Sequence, residues 1–145
     1  MNQLNVSIFI RNDVLAIVLS KEGMLLDKQV EYIKDEDIRG SVYLSLLYGI
    51  KKSLLKVRQY LQNNPEIESV VFEVNNSTVV SWLQNYYSKE AYQDSFVEVI
   101  RLLQEIPMQY AFVVNPKPKA MRFADKKFIV KKLVVSSFNL DEFEE

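Results

Sequence analysis

The chain has 145 residues, 48% of them hydrophobic and 26% charged, and a net charge of −1. That suits one globular domain with a sizeable core, and it gives no overall attraction to nucleic acid or to an anionic membrane. There is no Cys and no His, which excludes disulfides, thiolate nucleophiles, Cys-ligated zinc and any imidazole base.

In chain order, "LNVSIFI" alternates and is rich in β-formers, so it predicts a strand. "RND" is a turn, because Asn and Asp tolerate a left-handed backbone. "VLAIVLS" is apolar throughout and predicts a central strand. "KEG" turns again, and "MLLDKQVEYI" is a third strand. Together the three form an antiparallel meander. "KDEDIRG" reads as a polar connector. In "SVYLSLLYGIKKSLLKVRQYLQ" the residues Tyr43, Leu46, Leu47, Ile50, Leu54, Val57 and Leu61 recur every three or four positions. That spacing predicts one apolar helical stripe, stopped by Asn63, Asn64 and Pro65.

"IESVVFEV" is a fourth strand, and "NNSTVVSWLQNYY" is a short helix with cap-like residues at its start and Trp82 on its apolar side. Ser95 and Glu98 have the spacing of a capping box for a second long helix, with Phe96, Val99, Ile100, Leu103 and Ile106 on its buried face and Pro107 at its end. "MQYAFVV" is a fifth strand. "NPKPKAMRFADKKFIVKK" leads into a last helix, and "VVSSFNLDEFEE" is the tail. The reading is a domain over residues 1–134 and an acidic tail over 135–145.

A meander followed by crossover helices implies an α/β fold: a five-stranded mixed sheet, three antiparallel strands plus two parallel ones, flanked by helices on both faces. Right-handed crossovers place strands four and five beside strand one. The N-terminal "MNQLNVSIFIRND" has no basic segment of the signal-peptide kind, and no apolar run approaches a membrane span. The expectation is a cytoplasmic protein with no membrane role.

This order of elements resembles the ribonuclease H-like superfamily over roughly residues 3–132. Two stretches add to the likeness. "VVFEVNNSTVVSWL" is similar to the family's fourth strand and the helix that follows at once. "AFVVNPKPKAMRFADKKF" is similar to its last strand, loop and helix. The resemblance implies phosphodiester cleavage with two Mg²⁺ ions held by about four carboxylates. At the matching positions stand Arg11, Tyr43, Asn75 and Asp125, so one carboxylate of four survives. No Asp or Glu occurs between Ile38 and Pro65, so no shift of register along the helix restores one. The expected protein is therefore a degenerate, non-catalytic member without a cofactor, of the kind a phage or mobile element would carry. Two alternatives stay open. Asp13, Glu73 and Asp125 make a rearranged metal site, with Mg²⁺, in an active nuclease; or Arg11 pairs with Glu73 or Asp125 and supplies the charge that the metal would bring.

Charge is unevenly placed. Arg39, Lys51, Lys52, Lys56 and Arg58 lie on or beside the first long helix, and Lys117, Lys119, Arg122, Lys126 and Lys127 lie in the basic stretch near the C-terminus, where Asp125 is the one acid. In the family these two regions hold duplexes through backbone phosphates, so the resemblance implies a nucleic-acid footprint centred on Lys51, Lys52, Arg58, Lys117, Lys119, Arg122, Lys126 and Lys127. The plainer reading is two solvated helix faces on a protein-interaction or structural module. Tyr86, Tyr87 and Tyr92 cluster in one loop and either stack on bases or bridge core and solvent. Phe138, Leu140 and Phe143 alternate with acids in the tail. It loosely resembles the peptides that dock on replication sliding clamps. Other readings are a segment that folds back on the basic helix and competes with nucleic acid, or a frayed terminus.

Overall fold

The structure is a computed structural model and describes residues 2–11 and 13–124. Asp125, Lys126, Lys127 and the tail residues Phe138, Leu140 and Phe143 lie outside the described residues, as does the expected boundary at residue 134.

The first three strands are β1 (Gln3–Arg11), β2 (Val14–Lys21) and β3 (Met24–Tyr32), paired antiparallel in sequence. Glu22 and Gly23 make the two-residue turn between β2 and β3, both with positive φ (52° and 79°). That is the twist a tight hairpin demands, and it is why Gly stands at the second position. Seven of the eight β2 residues are buried, which fits its place between β1 and β3.

A short helix α1 (Glu36–Arg39) interrupts the segment expected to be a plain connector, and Asp35 caps it by accepting from the Asp37 amide. The long helix α2 (Val42–Asn63) follows. The Ser41 hydroxyl accepts from the Leu44 amide at 3.2 Å and so satisfies one of its orphan donors. Leu46, Leu47, Ile50, Leu54 and Val57 are buried against the sheet, each contributing about 1.5–3 kcal/mol relative to exposure. Gly49 faces β1 and β2 so closely that a Cβ there would lie 2.8 Å from a Leu15 methyl and 3.3 Å from an Ile8 methyl. The helix reaches the sheet only because this position lacks a side chain.

β4 (Ser69–Val74) runs parallel to β1, with Gln3 opposite Ser69 and Ile8 opposite Val74. α3 (Ser77–Asn85) starts under the Asn76 side chain, which accepts from the Val79 amide at 2.9 Å. A single 3₁₀ turn (Glu90–Tyr92) leads into α4 (Gln93–Leu103). The expected capping box is not formed. α4 begins two residues earlier than Ser95, which lies inside it, and the Glu98 carboxylate turns to Lys51 instead. β5 (Gln109–Val114) runs parallel to β4.

The sheet order is β3-β2-β1-β4-β5, so β4 lies beside β1 and β5 beyond it. One face carries the main core, in which Leu4, Val6, Ile8, Ile17, Phe72 and Val74 meet the apolar sides of α2, α3 and α4. Trp82 is part of it, as its position on α3 predicted. The other face carries a smaller core, Phe9, Val14, Ala16 and Val18 against Ala120 and Ala124 of a helical segment over residues 120–124. Helices therefore flank both faces. No helix among the described residues is long and apolar enough to cross a membrane.

Candidate functional site

The strand and helix ends that the sequence resemblance singles out converge on a cavity of about 200 Å³. Arg11 enters it from the end of β1, Asp13 from the following turn, Arg39 from α1 and Asn75 from the end of β4. Asp13 holds a left-handed backbone (φ 66°), and its carbonyl accepts from the Ile33 amide at 2.9 Å, which fixes the turn. The Arg11 guanidinium lies over the Phe9 ring, 5.2 Å from its centre.

α2 contributes Val42, Ser45 and Leu46 to the cavity, not Tyr43. The Tyr43 ring packs instead against Trp82 (5.1 Å between centres) and Tyr92 (5.4 Å) on the core side. Its place on the apolar stripe had already set that direction. Nor does Glu73 line the cavity. It sits opposite Ser7 in the β1–β4 register, and its Oε2 accepts from Asn115 Nδ2 at 2.9 Å. The Glu73 carboxylate, expected to pair with Arg11 or to join Asp13, thus takes an amide partner just past the end of the neighbouring β5.

Magnesium takes near-octahedral oxygen coordination anchored by carboxylates. The described residues of the cavity offer one carboxylate, Asp13, beside two guanidiniums, Arg11 and Arg39. Among the described residues no three acidic side chains are grouped to hold a metal ion. Among the described residues, this donor set does not fit a two-metal centre.

The two basic regions differ sharply once side chains are placed. Every cation of the first region meets a carboxylate, and those of α2 meet one from another part of the fold. Lys51 pairs with Glu98 at 2.7 Å, Lys52 with Glu31 at 3.5 Å, Lys56 with Asp27 at 2.5 Å and Arg58 with Glu105 at 2.6 Å, while Arg39 pairs with Glu36 at 3.5 Å. The hydrogen bond from Lys51 holds the Glu98 carboxyl below its ordinary value. The Tyr48 hydroxyl, and after it Glu31, holds Lys52 above the usual lysine range. α2 presents bound charge, not a free cationic face.

The second region is arranged otherwise. Asn115 ends β5 with its amide donating to the Val74 carbonyl at 3.0 Å, and its Oδ1 accepts from the Lys117 amide at 3.1 Å. Its Nδ2 is the group held by Glu73. At the start of the helical segment the Ala120 amide donates to the buried Ser7 hydroxyl at 2.8 Å. Between these two anchors, Lys117 and Lys119 project into a groove of about 410 Å³ that Arg122 also lines. Among the described residues none of the three cations has a salt-bridge partner. Arg122 and Lys28 both lie over the Phe123 ring, 5.1 and 4.8 Å from its centre. Ser7 and Asn115, which place the groove, were not singled out from the sequence. The one hint was a lone Ser in an apolar strand.

The tyrosines divide. Tyr92 joins Tyr43 and Trp82 in the core, whereas Tyr86 and Tyr87 are 67% and 61% exposed at the end of α3. Burial, and then the neighbouring Tyr86 hydroxyl, push Tyr110 up to about 12.

No family model and no curated protein matches the chain in sequence. Solved structures do match in three dimensions. LC11-RNase H1, isolated from compost by a metagenomic approach, superposes with a TM-score of 0.68 at 16% identity, over 87% of this chain and 92% of that one. RNase H1 from the halophilic archaeon Halobacterium salinarum gives 0.63 at 11% identity, over 86% and 92%. LC11-RNase H1 in complex with an RNA/DNA hybrid gives 0.58 at 17% identity, over 86% and 91%. Identities this low speak for the fold alone, and with the strand order and the helices on both faces they establish it: the chain has the ribonuclease H-like fold.

Proposed function

We propose that this protein binds a nucleic-acid duplex through backbone phosphates without cleaving it, as a free accessory factor or within a nucleic-acid-processing complex. The observation that carries this reading is the contrast between the two basic regions. Lys117, Lys119 and Arg122 share one groove with no carboxylate among its described lining residues, while the cations of α2 are all engaged. Cations without a carboxylate partner among the described residues attract phosphates at little internal cost, whereas α2 would first have to break its ion pairs. The fold adds support, since a structure similar to this chain holds an RNA/DNA hybrid. Non-catalysis rests on the described donor set around Arg11, whose one carboxylate, Asp13, falls short of what a two-metal centre needs. Lys126 and Lys127 extend the same basic run in sequence.

The test is duplex binding by fluorescence anisotropy, with RNA/DNA hybrid and DNA, across a salt series. Log affinity falls against log salt by about 0.7–0.9 for each phosphate contacted. The triple variant Lys117→Glu, Lys119→Glu, Arg122→Glu removes most of that slope. Absence of binding at low salt ends the reading and leaves an interaction module, which the neutralised α2 face favours. Hydrolysis of any tested duplex in Mg²⁺ or Mn²⁺ that is lost in Asp13→Asn or Asp125→Asn establishes the rearranged nuclease instead.

A further inference from the structure

The groove holding Lys117, Lys119 and Arg122 has a second character that phosphates do not satisfy. Leu25, Met121 and Phe123 line it as well. Leu25 is 50% exposed and its neighbour Met24 66%. An apolar strip of this kind, rimmed by charge, fits a partner that carries both apolar and acidic groups. A sugar-phosphate backbone supplies only the charge.

The chain itself contains such a partner. Its last ten residues, "SSFNLDEFEE", combine Phe138, Leu140 and Phe143 with four carboxylates. Phe138 and Leu140 are two apart, so they project to the same side of an extended segment. Acids follow them directly at Asp141 and Glu142 and end the chain at Glu144 and Glu145. Distance is no obstacle. The tail follows the groove's own helical segment closely in sequence, and an extended chain spans roughly 3.3–3.6 Å per residue. Covalent attachment of this length gives an effective concentration on the order of millimolar, so even a weak contact is populated.

We propose that the C-terminal tail docks in this groove within the same molecule, with its aromatic residues against Leu25, Met121 and Phe123 and its carboxylates against the three cations. A consequence, which rests on the function proposed above, is that the tail competes with nucleic acid for those cations. Duplex binding is then set by the balance between two acidic ligands, one tethered and one free.

Amide NMR spectra of the full chain and of its Phe138→Ser, Leu140→Ser, Phe143→Ser variant separate these statements. Docking is supported when the signals of Gly23, Leu25 and residues 119–123 shift between the two proteins while those of α4 do not. A synthetic peptide of residues 135–145, added to the variant, then restores them. A second variant, with Asp141→Asn, Glu142→Gln, Glu144→Gln and Glu145→Gln, gives the same shifts if charge also holds the tail. Unchanged groove signals in both variants overturn docking, whatever the nucleic-acid data show. Shifts that grow with protein concentration assign the tail to a neighbouring molecule and overturn the intramolecular form. If docking holds and the function is right, duplex affinity rises about tenfold in the triple-serine variant. Equal affinity in all proteins overturns competition, and absence of binding in all of them overturns the function while docking stands.

Discussion

The hydroxyl of Ser7, buried in the middle of β1, accepts the hydrogen bond from the Ala120 amide at 2.8 Å and so joins the central strand to the start of the last helical segment. The donor is one of the amides that a helix start leaves without an internal partner. Ser7→Ala removes the acceptor and leaves that amide buried and unpaired. The expected loss is about 1–3 kcal/mol of unfolding free energy, read from urea melts. Ser7→Thr keeps the oxygen but adds a methyl to a close-packed site, so its loss reports packing alone.

Asn115 holds the loop ahead of that segment with three bonds, to Val74, Lys117 and Glu73. Asn115→Ala keeps the backbone bond and loses the other two. Lys117 then has no fixed position, and duplex affinity falls between about twofold and tenfold, the ordering cost of one such side chain. Anisotropy titrations at constant salt measure it.

The ion pairs of α2 predict what does not change. Lys51→Gln and Arg58→Gln leave duplex affinity within about twofold, because those cations already hold Glu98 and Glu105. Lys51→Gln also moves the Glu98 titration. Glu98 is held low by Lys51, so its contribution to stability is present above its unfolded value and lost as pH falls through the folded one. In Lys51→Gln that acid-side loss shrinks, which carboxyl NMR titration follows residue by residue.

Tyr110 predicts an alkaline effect of opposite sense. Its hydroxyl titrates near 12 in the folded protein, against 10.0 ordinarily. The unfolded chain therefore loses the proton first, and stability that is complete below pH 10 is lost as pH rises toward 12. Denaturation midpoints taken across that window decline in the wild type. They decline less in Tyr110→Phe, and ultraviolet titration of the same pair identifies the late-titrating phenol.

The sheet was legible because its signals are local. "VLAIVLS" is apolar at every position but the last, and the strand is buried on both faces. Asn76 stands where a helix cap belongs, and it caps α3. The charge map was not legible, because the partners of Lys51 and Arg58 are each 47 residues away. A run of cations in sequence says nothing about which acids the fold brings to it. The capping box failed for a related reason: Glu98 had a choice between a local amide and a distant ammonium, and the spacing of Ser95 and Glu98 shows only the first. Tyr43 was misdirected by alignment although the apolar stripe that includes it already pointed to the core.

The two faces of the sheet are unequally covered, and opening them is correspondingly unequal. Among the described residues, the main core ties α2, α3 and α4 to all the inner strands, while Ala120 and Ala124 rest on four buried side chains, Phe9, Val14, Ala16 and Val18. Regions with little buried apolar contact open first in native-state exchange. Among the described residues, the segment that carries Arg122 is thus expected to open before the main core does. Hydrogen exchange separates the two, with the Ala120 amide released at a lower free energy than the amides of Ile8 or Ile17. Lys119 and Arg122 would then be released with that segment, so the same exchange experiment reports how firmly the groove is held.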